Sequence, residues 1–465
     1  MKKYEIYNKT NSNFIPEIPL NWKKLRVKNL VDNNTYYPVG DGDHGSIKPE
    51  MYLEEGVPYI RVQNLSWTGE LLLDNVVYIS EEVQKANAKS ILRPGDILIA
   101  KTGATVGKLG LIPKELKEAN TTSSVGKLTI DLSRFNPKYI LYSFQAKHFN
   151  DQIWMQASQK SAQPGFNIDD LIEFEIASPE LEEQTAIATF LDYKTNLIDA
   201  TIEKKKCLIE LLKEKRQAVI NEAVTKGLNS NAPMKNSGVE WLGEIPEHWK
   251  VKKLKHIKSN KPNAFVDGPF GSNLKTEHFI ENGEVYVIES GFITSGNFEY
   301  KREFKTISLN HFDTISRSEC NEDDIILAKI GANYGMSAIL PQLDKKSVVS
   351  GNSLKLTVDT CNNDLKFIHL FLLFLKQSGS FELIVNESAQ PALSLGSLNN
   401  ISISIPKKEE QIEIRVHIEK NNSIIDKLII KIEENIQKLQ IYRQSLISEA
   451  VTGKIDVRDW KITKN

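Results

Sequence analysis

The chain has 465 residues, 40% hydrophobic and 26% charged, which is ordinary for a globular protein with room for two or three domains. Its net charge of −1 excludes the overall basic field of a protein that coats nucleic acid, although local basic loops remain compatible with it. No run of about 18 apolar residues and no signal peptide is present, so we expect no membrane span and a cytoplasmic location. The three cysteines (Cys207, Cys320, Cys361) are too far apart in sequence to indicate a disulfide or a zinc site.

Short β-branched runs alternate with turn residues through the first 180 positions. The segments 60–65, 96–101, 109–113 and 126–131 have the pattern of strands, and 172–179 that of a last strand. Residues 139–158 have the periodicity of a helix that packs against a core. Together they predict a globular domain of mixed α/β (α+β) class over residues 1–180.

A helix without internal Gly or Pro is predicted over residues 181–227, with Ser178 and Pro179 as its cap and first position. Two sets of residues spaced by seven alternate in steps of four and three, which is the seam of a coiled coil. Lys205 and Arg216 interrupt this seam, and we expect them to set its register. The first set is Leu191, Ile198, Lys205, Leu212 and Val219, and the second is Thr195, Ile202, Ile209, Arg216 and Ala223.

The second half of the chain repeats the first at a spacing of 227 or 228 residues. PGDILIAKTGATVGKLGLIP at 94–113 matches EDDIILAKIGANYGMSAILP at 322–341, and the tetrapeptide SAQP occurs at 161–164 and 388–391. Trp22 matches Trp249, and Tyr59 matches Tyr286. The repeat predicts a polar linker at 228–240, a second domain at 241–407, a second helix at 408–453 and a tail at 454–465.

The two helices are predicted to pair with each other in antiparallel fashion. A helix of 44 residues is ~66 Å long, whereas the 13 residues of the linker reach at most about 45 Å. The linker is therefore too short to return the chain for parallel pairing. Antiparallel pairing relates the two domains by a pseudo-two-fold axis.

Three catalytic or metal-binding patterns were considered and rejected. KTGATVGKLG at 101–110 has three residues between its glycines instead of the four of a phosphate-binding loop. Asp96 and Lys101 lack the second acidic residue of a nuclease set, and GDGDHG at 40–45 lacks the twelfth-position acid of a calcium loop. The sequence therefore predicts no catalysis and no bound metal in this chain.

The matched loops of the two repeats have different contents on a common frame. Residues 61–64 (RVQN) face 288–291 (IESG), and 102–105 (TGAT) face 330–333 (IGAN). Arg, Gln, Asn, Lys and Thr are the residue types that contact base edges and phosphates. The alternative for any single residue is a solvated strand end or a turn. As a set, the loops favour two readers with separate targets.

The chain resembles the specificity (S, HsdS) subunit of type I restriction-modification systems over essentially its whole length. The resemblance rests on IPEHWKVKKL, DGPFGSNLK at 267–275, the two GDILIAKTGA-type strands, SAQP, and the endings EAVTKG and EAVTGKIDVR. It implies that each target-recognition domain reads half of a split DNA site, that the helices set the gap, and that the chain itself catalyses nothing. The implied DNA-contacting residues are Lys48, Arg61, Asn64, Lys101, Thr102 and Gln163 in the first domain, and Ser272, Lys275, Lys329, Asn333, Tyr334 and Gln390 in the second.

The resemblance also implies partners. They are double-stranded DNA, two modification (methyltransferase) subunits that use S-adenosylmethionine, and restriction subunits that use ATP and Mg²⁺, with no cofactor on this chain. The starts of the helices, Glu182–Gln184 and Glu409–Gln411, are expected to offer surface to the modification subunits. Two alternatives remain open at this point. One is a scaffold with two non-DNA binding domains on a coiled coil, and the other is a modification-restriction fusion, which the missing catalytic motifs oppose.

Overall fold

The computed structural model divides the chain into two compact units, Met1–Cys207 with Ile432–Asn465 (unit 1) and Leu208–Lys431 (unit 2). Each unit therefore combines the globular domain of one repeat with helical segments from both repeats. We call the globular parts domain 1 (unit 1) and domain 2 (unit 2). The residues that the structure describes are 2–43, 45–159, 164–293, 296–300, 302–331, 333–384 and 392–461.

Domain 1 consists of short strands and helices that lead into the first long helix. Its strands are β1 (Tyr7–Lys9), β2 (Glu17–Pro19), β3 (Lys23–Arg26), β4 (Val39–Asp41), β5 (Val57–Ile60), β6 (Val77–Ile79), β7 (Ile97–Ala100), β8 (Leu109–Leu111), β9 (Asn120–Thr121), β10 (Val125–Leu128) and β11 (Glu175–Ser178). Its helices are α1 (Glu81–Ala86), α2 (Pro137–Gln145), α3 (Lys147–Ala157), α4 (Ile168–Leu171) and the long α5 (Leu181–Lys226).

Domain 2 repeats this order. Its strands are β12 (Met234–Asn236), β13 (Glu244–Pro246), β14 (Lys250–Lys253), β15 (Phe265–Asp267), β16 (Val285–Ile288), β17 (Lys305–Ile307), β18 (Glu319–Cys320), β19 (Ile325–Ala328), β20 (Ser337–Ile339), β21 (Lys346–Val349), β22 (Ser353–Leu356) and β23 (Ser402–Ile405). Its helices are α6 (Leu309–Ile315), α7 (Leu365–Gln377), α8 (Leu395–Asn400) and the long α9 (Lys408–Val451).

The sheets of the two domains correspond strand for strand. A four-stranded antiparallel sheet has the order β4-β10-β7-β8 in domain 1 and β15-β22-β19-β20 in domain 2. A second sheet, β6-β5-β9 or β17-β16-β21-β18, contains one parallel pair in each domain. The last strand before each long helix pairs with an early strand (β11 with β3, β23 with β14), so each domain ends beside its own beginning.

A buried glutamine attaches the start of each long helix to its own domain. The Gln184 side chain donates to the carbonyl of Pro179 at 2.9 Å and accepts from the backbone N–H of Asn136, also at 2.9 Å. Gln411 makes the same pair of contacts with Pro406 (3.0 Å) and Asp364 (2.8 Å). Both glutamines are 1% exposed, so the expectation that they offer surface to a partner is wrong.

The predicted seam is buried and the long helices pair antiparallel in both units. In unit 1, Ile198 and Ile202 of α5 lie in one apolar cluster with Leu446 of α9, and Arg443 pairs with Asp199. In unit 2, Arg216 of α5 pairs with Asp426 of α9. Residue numbers rise along one helix as they fall along the other, as antiparallel pairing requires. The two arginines are seam interruptions, and each has an aspartate of the opposite helix as its partner.

Each long helix ends against a tryptophan of the other repeat. Gly227, with φ of +76°, follows α5 and would place a Cβ 3.2 Å from the Trp249 ring in unit 2. Gly453, with φ of +72°, follows α9 and would place a Cβ 3.5 Å from the Trp22 ring in unit 1. Glycine accepts this left-handed conformation readily, so both function as C-terminal stops, as predicted.

Three local features differ from the sequence prediction. The segment 139–158 forms two helices that meet at Ala146, whose extended backbone (ψ 152°) interrupts the hydrogen-bond ladder. Residues 234–236 of the predicted linker form β12, which pairs with β13 as β1 pairs with β2. Ser178 is the last residue of β11, and α5 begins at Leu181.

The repeat frame also shifts by one residue earlier than the sequence alignment placed it. β5 pairs in parallel with β9 through Tyr59 and Asn120, and β16 pairs with β21 through Val287 and Val348. Tyr59 is therefore equivalent to Val287 instead of Tyr286, and both are buried. Glu284, which follows Gly283, is the extra residue. Because side chains alternate along a strand, the one-residue correction changes which residues share a face.

Candidate nucleic-acid interface

A lysine–aspartate ion pair lies at the same place in both domains, at the ends of neighbouring strands of the four-stranded sheet. Lys101 follows β7 and its ammonium contacts the carboxylate of Asp41, the last residue of β4. Lys329 follows β19 and lies 3.4 Å from Asp267, the last residue of β15. Lys101 is 6% exposed. The alternative that these lysines are merely solvated strand ends is therefore wrong for Lys101.

In domain 2 this pair borders an open cleft of about 670 Å³, which we call the basic cleft. The loop 268–279 forms one wall, and residues 350–352 contribute to the lining. Among the described residues, its cationic lining groups are Lys275, Arg302, Lys305 and Lys329 and its one carboxylate is Glu289. At the rim, Phe270 exposes 73% of its surface. Cationic groups beside an exposed aromatic ring suit a phosphate backbone and bases.

Glu289 is held between two of these cations. Its carboxylate accepts from Arg302 at 3.0 Å and from Lys305 at 2.9 Å. Its side chain is 22% exposed, whereas the two cations are about half exposed. The carboxylate is thus fixed in position while solvent, or a ligand, can still reach it.

The equivalent surface of domain 1 has an aromatic and cationic character. The Arg61 guanidinium lies over the Tyr52 ring, 5.4 Å from its centroid, and donates to the carbonyl of Asn75 at 3.3 Å. Tyr52 in turn contacts the ring of buried Tyr59. Lys48 is exposed at the start of the short turn 49–51, as Lys275 is at the start of 276–278.

Two predicted residues of domain 1 have partners within the fold. Asn64 is 1% exposed; it accepts from the backbone N–H of Arg61 at 2.9 Å and donates to the carbonyl of Leu72 at 2.8 Å. Both contacts shape the loop, so the geometry gives Asn64 a supporting position below the surface. Thr102 is half-buried and forms a backbone bridge with Gly165.

The predicted residues of domain 2 separate into two groups. Ser272 is exposed on the loop that forms one wall of the basic cleft, close to Lys275. Asn333 and Tyr334 lie outside the cleft lining, on the turn between β19 and β20. The Tyr334 ring packs against the core and lies under the Lys376 ammonium, 3.7 Å from the ring centroid.

Gln163 and Gln390 lie outside the described residues. The segments that follow them are described, and they pair with the loops beside the conserved lysines. Gly165 bridges Thr102, and Ala392 bridges Ile330 in the same manner.

The geometry also explains why the rejected catalytic patterns are not sites. Asp96 is buried beside Lys127; burial raises the pKa of the Asp96 carboxyl and lowers the pKa of the Lys127 ammonium. Asp43 accepts from the Tyr59 hydroxyl and from the backbone N–H of Ile47, so both its oxygens are engaged. The glycine-rich segment after β7 is a hairpin turn into β8, not the strand-to-helix turn of a phosphate loop.

Two searches of the described residues complete this picture. No cluster of three or more His, Cys, Asp or Glu side chains suited to a metal ion is found there. In the same residues no helix has the length and apolarity needed to cross a membrane.

Sequence reasoning missed several residues of the basic cleft. Arg302 and Lys305 lie on the approach to β17, in a charged stretch that carried no motif. Phe270 was part of the DGPFGSNLK segment but was not selected. The signal that could have found them is positional, because Lys305 begins the strand that pairs with β16, directly before Glu289.

Comparison with known proteins agrees with this architecture. The family described as "Type I restriction modification DNA specificity domain" matches residues 21–211 and 246–439, which are the two repeats. The chain belongs to this DNA specificity family.

Two relatives and two solved structures illustrate the likeness within the DNA specificity family. The chain is 26% identical to the type I restriction enzyme MjaVIII specificity subunit of Methanocaldococcus jannaschii over 95% of both chains. It is 24% identical to the putative MjaX specificity subunit of the same organism over 98% of both. A chain from a study of complex assembly and conformational transition in a type I restriction-modification system shares the fold with a TM-score of 0.68 at 13% identity, over 94% of this chain and 99% of the other. The HsdS subunit of Thermoanaerobacter tengcongensis gives 0.56 at 15% identity, over 94% and 98%.

Proposed function

We propose that this member of the DNA specificity family reads a split site in duplex DNA, with one half-site for each domain. The observation that carries the proposal is the matched pair of surfaces. Each domain places a lysine–aspartate pair and an exposed lysine at corresponding positions, Lys101 and Lys48 or Lys329 and Lys275. Around these shared cations the other residues differ. Shared cations suit the phosphate backbone, which is the same in both half-sites, and differing neighbours suit different bases.

The long helices are proposed to act as the spacer between the half-sites. The two continuous helices, α5 with 46 residues and α9 with 44, each contribute to both units. The proposed spacing is about one turn of duplex, ~10 base pairs between half-site centres.

Partner subunits are proposed to supply the chemistry. In this proposal two modification subunits carry S-adenosylmethionine, and restriction subunits carry ATP and Mg²⁺. Apolar side chains that flank the seam support a docking role for the helices. In unit 2 these are Leu208, Leu211, Ile424 and Leu428, which expose between 45% and 54% of their surface.

A methylation experiment tests the function directly. The chain is expressed with its modification subunit in a host that lacks DNA methylation, and the host DNA is sequenced for modified adenine. We expect a split motif, methylated on both strands, that disappears when the chain is omitted. A stable complex that neither methylates DNA nor selects any motif from random duplexes would instead identify the chain as a non-DNA scaffold.

A further inference from the structure

The strand pairing makes Arg61 and Glu289 equivalent residues. β5 and β16 occupy the same place in their sheets, and the next residue is Arg61 in one domain and Glu289 in the other. Each of them also precedes a short 3₁₀ turn, 62–64 or 290–292. One position of the common frame therefore carries a cation in domain 1 and a carboxylate in domain 2.

A second position is inverted in the opposite sense. The chain has the same length between this position and the following strand in both domains, so Asp74 corresponds to Arg302. Domain 1 has the order Arg61 then Asp74, and domain 2 has the order Glu289 then Arg302. Substitution of both charges at once keeps the local charge balance while it changes what the cleft presents.

The contacts of the two residues leave hydrogen-bonding capacity unused. The Arg61 Nε–H is buried and has no partner among the described residues, although Nη2 contacts the carbonyl of Asn75. The Glu289 carboxylate accepts one contact on each oxygen, from Arg302 and Lys305. A carboxylate has about four acceptor positions, so each oxygen can accept one more donor.

We infer that this position determines the base preference of each half-site. Arginine pairs in bidentate fashion with the O6 and N7 acceptors of guanine, and glutamate accepts from the N4 amine of cytosine. Arg61 therefore reads a guanine in the half-site of domain 1. Glu289 reads a cytosine in the half-site of domain 2, and Arg302 and Lys305 position its carboxylate. The inference rests on the proposed function, since it assigns the residue within that DNA-reading surface.

The test is a binding selection from random duplexes at fixed salt, with the full chain in complex with its modification subunit. Glu289→Gln keeps the shape of the side chain, but its amide matches adenine N6 and N7. We expect the selected base to change at one position of one half-site, with at least about a tenfold loss of preference for the original base. The other half-site should be unchanged.

Two further variants make the outcome decisive. Arg61→Gln should alter one position of the opposite half-site, and it carries the test if the Glu289 variant does not fold. Glu284→Gln removes the same charge from an exposed residue five positions before Glu289, and it should leave both half-sites unchanged. An unchanged motif for both the Glu289 and the Arg61 variants, with only a uniform loss of affinity, would overturn the inference. A wild-type complex that selects no motif would overturn the proposed function itself.

Discussion

The Nε of Arg443 donates to both carboxylate oxygens of Asp199 on the opposite helix, at 2.9 and 3.2 Å. Arg216 and Asp426, each 227 residues away from its counterpart, form the equivalent pair in unit 2. Two equivalent pairs are what a repeated helix must produce when its copies meet antiparallel. Asp199 and Asp426 are 43% and 55% exposed, so solvent screens both pairs and each contributes little to stability. Their main effect is to oppose pairing of the seam in another register.

Charge reversal tests this role of Arg443 and Asp199. Asp199→Arg places two guanidinium groups opposite each other, and we expect the free energy of unfolding of unit 1 to fall by about 1 kcal/mol. Addition of Arg443→Asp restores an opposite-charge pair and should recover most of the loss. Urea unfolding of the two single variants and the double variant gives the coupling energy. Losses that simply add in the double variant would show that the two side chains do not interact.

A close backbone crossing predicts the effect of an alanine in domain 2. A Cβ on Gly268 would lie 1.9 Å from the carbonyl oxygen of Ser350, and the backbone cannot move aside as a flexible side chain could. Gly268→Ala should therefore destabilise domain 2 by about 1–3 kcal/mol or more. Gly271→Ala is the matched control, because nothing lies within 4 Å of its added Cβ. Thermal unfolding compares the two variants, and equal midpoints would contradict the close approach.

Acid sensitivity of unit 1 is predicted from His148. The imidazole is 7% exposed and both ring nitrogens lack a partner among the described residues, and burial lowers its pKa from 6.5 to about 4. The folded-state pKa lies below the unfolded one, so this contribution to stability is present above pH 6.5 and is lost as the pH falls towards 4. Between pH 7 and pH 5 the loss is about 2 kcal/mol.

His148→Leu should remove this part of the pH dependence. The measurement is the urea midpoint of unit 1 at pH 7 and pH 5, for the parent and the variant. The midpoint of unit 2 in the same samples is an internal control for general acid effects. A variant as sensitive to acid as the parent would show that other groups cause the loss.

Two lysines of the basic cleft are predicted to differ in their effect on DNA binding. Lys275 is exposed and has only a weak ion pair with Glu277, 3.6 Å away, so Lys275→Ala should weaken binding to all sequences and reduce the salt dependence by about one phosphate contact. Lys329→Ala, at the strand end beside Asp267, should relax one half-site only, by roughly 1–3 kcal/mol. Binding titrations at several salt concentrations on matched and mismatched duplexes separate the two effects. Equal loss on every sequence for Lys329→Ala would reduce its role to a phosphate contact.

The spacer role predicts the result of lengthening the long helices. Insertion of four residues within 198–212 adds roughly 6 Å of helix, which corresponds to about one to two base pairs of duplex. The recognised gap should lengthen while the bases of both half-sites stay the same. A substitution at Lys205 without insertion is the control. If the gap stays constant in the lengthened chain, the helices are not the ruler.

Much of the architecture could be predicted because long-range order in this chain is written twice. The repeat, the class of the domains and the two helices followed from spacing alone, and the seam residues Ile198, Ile202 and Ile209 are buried as expected. Arg216 and Arg443 were identified as interruptions of the seam. Their aspartate partners were not, because ion pairs across helices depend on a register that periodicity does not specify.

The basic cleft could be predicted only in part. Lys275 and Lys329 follow recognisable strands and were found, whereas Arg302 and Lys305 are brought in by a strand pairing that sequence spacing does not reveal. The equivalence of Arg61 and Glu289 was missed for a different reason. A match between two tyrosines concealed a one-residue insertion, and only the parallel pairing with the next strand reveals it.

The exchange of helical segments between repeats has a consequence for gene recombination. The core of unit 1 includes Leu446, Ile447 and Ala450 from the second repeat, and that of unit 2 includes Ile220 and Val224 from the first. A crossover that replaces one whole repeat by that of a relative would therefore create two hybrid cores and leave no parental one. A crossover confined to the segment before α5 disturbs only unit 1. The fold thus favours the inheritance of new recognition domains as cassettes bounded by the long helices.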